Sequence, residues 1–64
     1  MKDWKVLLTS ESLEHLEIVR INLKENCAIE AVILNKKISA YQLGIAELLV
    51  ANSDFDQAKR FLEQ

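Results

Sequence analysis

Ile29-Glu30-Ala31-Val32-Ile33-Leu34 is the stretch on which the fold of this chain turns. It is short, rich in β-branched and aliphatic side chains, and followed by a polar run, which marks a strand rather than a helical segment. Because successive strand side chains alternate, Ile29, Ala31 and Ile33 fall on one face and Val32 and Leu34 on the other. A strand that is apolar on both faces needs cover on both.

Reading toward the C-terminus, residues 35–44 form a polar connection, and residues 45–51 repeat the strand signature. There Ala46, Leu48 and Val50 alternate against Ile45, Glu47 and Leu49. Toward the N-terminus, residues 12–26 switch to helical spacing, with Leu13, Leu16, Val19, Leu23 and Cys27 on one stripe. Thr9 and Ser10 offer N-cap oxygens, and Glu11 and Glu14 sit where a helix start favours negative charge. Residues 4–9 alternate as a first strand, Trp4, Val6 and Leu8 against Lys5, Leu7 and Thr9. The last element is a helix that Ser53 caps, with Asp56 as its capping-box acid, Arg60 at i,i+4 from Asp56, and Phe55, Ala58, Phe61 and Leu62 facing inward.

The expected order is β-α-β-β-α within a single domain, residues 1–64. A helix between the first two strands implies a parallel, right-handed crossover, and a loop between the second and third implies an antiparallel pair. The expectation is therefore an α+β, two-layer, ferredoxin-like sandwich, with a three-stranded sheet and both helices on one face. The third strand would lie in the middle and the first at an edge.

Two helices cover one face of such a sheet. With Trp4, Val6 and Leu8 assigned inward, the outer face carries Leu7, Val32, Leu34, Ile45 and Leu49, with Lys5, Glu30 and Glu47 among them. Five aliphatic residues from three strands would make a patch of a few hundred Å², the size at which an interface is the natural reading. Ile18 and Ile21 point away from the stripe of the first helix. A homodimer, or docking of another protein, is the expected use of the sheet face.

Chemistry is scarce. A chain of 64 residues with one glycine, one histidine and one cysteine has no glycine-rich phosphate loop, no disulfide and no Cys/His zinc set. No cofactor and no enzyme activity are expected. His15 reads as solvent-exposed and Cys27 as packed. The acids at both helix starts follow from the helix dipole, and Glu47 is expected to pair with Lys5 across strands. A net charge of −2 argues against nucleic acid and anionic lipid. The aliphatic outer sheet face lacks the stacking aromatics of an RNA-recognition module. No apolar run reaches membrane-span length, and residues 1–5 lack a signal-peptide pattern, so a cytoplasmic location is expected.

The connection at residues 35–44 is long for a hairpin. Asn35, Lys36, Lys37, Ser39 and Tyr41 supply cations, hydroxyls and an amide, so a small polar or anionic molecule held there is the alternative function. The same run, Asn35-Lys36-Lys37-x-Ser39-x-Tyr41-x-x-Gly44-x-x-Glu47-Leu48-x-Val50, resembles a small bacterial domain-of-unknown-function family of prokaryotic signal-transducing proteins. Trp4-Lys5-Val6, the passage from Leu23 to Ala31, and Asp54-Phe55-Asp56-x-Ala58-Lys59 fit it too. The resemblance implies a ferredoxin-like fold and a regulatory role. Ile38 and Ile45 stand where that family carries acids, and Leu49 where it carries an aromatic, which leaves the outer face more aliphatic.

Overall fold

The computed structural model describes residues 3–38 and 43–63. It is an α+β structure in which β1 (Trp4–Ser10), β2 (Ala31–Ile38) and β3 (Leu43–Ala51) form one antiparallel sheet in the order β1-β3-β2. Helix α1 (Leu13–Cys27) lies between β1 and β2 in sequence, and α2 (Phe55–Leu62) follows β3. A three-residue 3-10 turn, Asn52–Asp54, stands between β3 and α2 and is an element the sequence reading lacked.

Both helices close over the side of β3 that carries Ala46, Leu48 and Val50. Leu16 and Leu23 of α1 and Ala58 of α2 join those three residues and Ile29 in one buried cluster. Val19, Cys27, Ala31, Ile33, Phe55 and Phe61 pack around it. Fully burying a leucine contributes about 1.5–3 kcal/mol, so Leu16, Leu23 and Leu48, all inaccessible to solvent, anchor the fold. Leu13, assigned to the same stripe, is instead exposed at the first position of α1, and Leu62, expected to face inward, is exposed at the last position of α2.

The caps differ from the sequence reading. Ser12, not Thr9 or Ser10, caps α1: its hydroxyl accepts from the His15 backbone N–H at 3.2 Å, and Ser10 Oγ accepts from the Ser12 N–H at 3.0 Å. Ser53 does not cap α2, because the 3-10 turn draws it into the approach; Asp54 takes the N-cap position without a side-chain bond. Arg60 Nε donates to the Asp56 carbonyl oxygen at 3.4 Å, one turn earlier on α2.

Helix α1 ends on Ala28 in the left-handed conformation, φ 55°. The Ala28 N–H donates to the Lys24 carbonyl at 3.1 Å and the Ile29 N–H to that of Leu23 at 3.2 Å, which stops the helix and turns the chain toward β2. An L-residue with a Cβ is disfavoured there by about 1–2 kcal/mol. Ala28→Gly is expected to raise unfolding free energy by about 0.5–1 kcal/mol, the relief of that penalty less the entropy glycine adds to the unfolded chain. Urea denaturation followed by circular dichroism measures it.

Candidate functional site

The register on both sides of β3 defines the sheet face that the helices leave open. On the β2 side the pairing is unbroken, with Val32 opposite Leu49 and Leu34 opposite Glu47. On the β1 side it shifts: Val6 opposes Leu49, whereas Leu8 opposes Leu48. Leu7 is the extra residue of a β-bulge, and a one-residue offset exchanges the faces of everything beyond it.

That offset corrects three assignments. Leu7 packs against the buried cluster instead of lying on the outer face. Trp4 and Val6, expected inside, stand opposite Ala51 and Leu49 and so belong to the outer face, which therefore carries an aromatic side chain that the sequence reading had denied it. Lys5 stands opposite Val50 on the helix side, with its ammonium 4.4 Å from the centroid of the Phe55 ring. A cation over an aromatic face is worth about 0.5–1 kcal/mol where exposed. The cross-strand pair of Lys5 with Glu47 does not form, because the two residues occupy opposite faces; Thr9 and Leu34 flank Glu47 in the ladder.

The open face is thus built around one row, Val6–Leu49–Val32, running across all three strands. Leu49 is only 6% exposed although it lies outside the helix-covered cluster, while Val6 and Val32 on either side are 40% and 36% exposed. Leu34, at 37%, and the partly buried Ile45 continue the patch along β2 and β3. Of the five residues assigned to this face from sequence, Val32, Leu34, Ile45 and Leu49 lie on it, Leu7 does not, and Trp4 and Val6 are the ones missed. No residue type in β1 signals a bulge, since both frames of the strand are equally apolar around Val6-Leu7-Leu8.

Residues 35–44 do not form a ten-residue connection. β2 runs on through Ile38 and β3 begins at Leu43, so Asn35, Lys36 and Lys37 are ladder residues opposite Ala46, Ile45 and Gly44. Ser39 and Tyr41 lie outside the described residues.

Elsewhere the polar groups are at the surface. His15 is exposed, Cys27 is half-buried against the cluster, and Cys27, Gln57, Arg60 and Phe61 line a shallow depression where α1 ends beside α2. Glu17 and Arg20 pair at 2.8 Å and Lys24 and Glu30 at 3.7 Å, both near solvent. Among the described residues no group of three or more His, Cys, Asp or Glu could hold a metal ion, and no helix is long and apolar enough to cross a membrane.

No family model, curated protein or solved structure matches the chain.

The burial of Leu49 makes a prediction. Leu49→Ala is expected to cost about 2 kcal/mol or more, as a core leucine would, although no helix covers it. Val32→Ala, one strand away and more exposed, should cost under about 1 kcal/mol. Thermal unfolding of the two variants side by side tests the difference.

Proposed function

We propose that this chain is a non-catalytic interaction or regulatory module that associates with another protein surface through its open sheet face. The observation that carries the reading is the row Val6–Leu49–Val32 with Leu34 beside it, an aliphatic cluster on the face opposite both helices. Antiparallel sheets with one uncovered face usually present polar residues there. Clustered aliphatics from three strands cost solvation free energy that a partner recovers by covering them.

Size sets the kind of association. A strand rise of about 3.4 Å and a strand spacing of about 4.8 Å make the three-stranded face roughly 30 Å by 14 Å, a flat area of about 400 Å². A standard stable interface buries about 800 Å² per partner. One face alone therefore supports weak, reversible association, which suits a regulatory module. A regulatory role, which the resemblance of residues 35–50 to prokaryotic signal-transducing proteins implies, is part of this proposal. A ferredoxin-like arrangement lacking its final strand and a cytoplasmic location belong to this reading. The strand order β1-β3-β2, with both helices packed against the same buried cluster, is compatible with that arrangement.

An apolar fluorescent dye tests the face directly. The folded chain is expected to bind the anionic dye anilinonaphthalene sulfonate, and Val6→Lys and Leu34→Lys should each reduce the binding several-fold while shifting stability by no more than about 0.5 kcal/mol. Equal dye binding by all three proteins would remove the basis of the proposal. Light scattering across a wide concentration range then distinguishes a second copy from a different protein as the occupant.

A further inference from the structure

Helix α1 is apolar on two opposite sides. Its inner side, with Leu16, Val19 and Leu23, packs into the buried cluster. On its outer side Ile18 and Ile21 are 54% and 44% exposed, more than Val6, Val32 or Leu34 on the open sheet face. One apolar stripe is enough to dock a helix on a sheet. A second stripe, opposite the first, is free to pack against another helix.

Glu14, Ile18, Ile21 and Glu25 follow one another at steps of four, three and four residues. That spacing lines up side chains on one side of a helix and is the one used to meet a partner helix. The stripe therefore has two aliphatic layers in its middle and an acid at each end, over about three turns or about 16 Å of helix. The cations of α1 are engaged elsewhere, Arg20 at 2.8 Å from Glu17 and Lys24 at 3.7 Å from Glu30. Among the described residues neither Glu14 nor Glu25, both exposed, has an ion-pair partner.

The two acids select the occupant. Two copies of this chain meeting along the stripe would oppose Glu14 to Glu14 when parallel, and Glu14 to Glu25 when antiparallel. Like charges meet in both arrangements, so a second copy does not fit. Nucleic acid and anionic lipid are turned away by the same charges. A helix that carries a cation at each end of a short aliphatic stripe matches every layer. Its aliphatic side chains cover Ile18 and Ile21, and its cations face Glu14 and Glu25.

We propose that the outer side of α1 docks a basic amphipathic helix supplied by a different protein. The contact is short, and its affinity is expected to be modest. This surface is separate from the open sheet face and lies on the other side of the two layers, so a sheet-face partner and a helical partner can be held at the same time.

The probe is a stapled synthetic helix with two leucines three residues apart and a lysine four residues beyond each. Its binding is followed by amide chemical shifts of the full, isotope-labelled chain, which also verify that each variant is folded. Saturable shifts centred on residues 14–25 are expected. Ile18→Ala should weaken binding about tenfold, and Glu14→Lys and Glu25→Lys about threefold each. With both glutamates replaced by lysine, the chain should prefer a helix carrying glutamates in place of the lysines. Val6→Lys should lower dye binding and leave the lysine helix bound, so the two surfaces fail separately. No saturable shift at millimolar lysine helix, equal binding by a helix with serines for leucines or glutamates for lysines, indifference to Ile18→Ala, or shifts centred on the open sheet face would each overturn the proposal.

Discussion

Everything in this molecule hangs on β3, the central strand. Its even-numbered residues Ala46, Leu48 and Val50 meet the helices, and its odd-numbered residues Ile45, Glu47 and Leu49 form the spine of the open face. Both neighbours take their register from it. Because side chains alternate with a period of two residues, any slip against β3 exchanges interior for exterior along a whole strand. The two neighbours meet this constraint in different ways, β2 by an unbroken ladder and β1 by inserting Leu7.

The bulge has consequences at both faces. It lets Leu7 and Leu8, adjacent in sequence, both pack against the buried cluster, which a regular strand would not allow. It also transfers Lys5 to the helix side, where Phe55 receives it, and brings Val6 across to complete the row with Leu49 and Val32. Leu49 is only 6% exposed although both helices pack on the other side of β3. Its burial explains why the open face contributes to monomer stability as well as to recognition, and why a charge at Leu49 would be a poor probe of recognition alone.

Much of this was legible in the residues. Alternation in β3 and β2 grouped Val32, Leu34, Ile45 and Leu49 on one face and Ala31, Ile33, Ala46, Leu48 and Val50 on the other, because an uninterrupted period-two pattern fixes which residues share a face; the helices cover the second group, as expected. Leu16, Leu23 and Ala58 were readable from helical spacing for the same reason. What could not be read were the places where one residue changes the frame. Val6-Leu7-Leu8 is apolar in either frame, so composition cannot locate the bulge. Ser10, Ser12 and Ser53 are all chemically able to cap a helix, and only the backbone path selects Ser12. The extent of β2 and β3 was also hidden: Asn35, Lys36 and Lys37 have the polarity of a loop, and the ladder with β3 overrides that preference.

The inserted residue in β1 also bears on how this chain tolerates changes of length. Loss of a residue from a regular strand turns one half of it inside out. Loss of Leu7 would close the gap between Val6 and Leu8 while leaving Val6 opposite Leu49 and Leu8 opposite Leu48, at the cost of one packed side chain. β1 thus carries one residue of slack that β2 and β3 lack. Descendants of this sequence can vary the length of their first strand by a single codon without rewriting either face of the sheet.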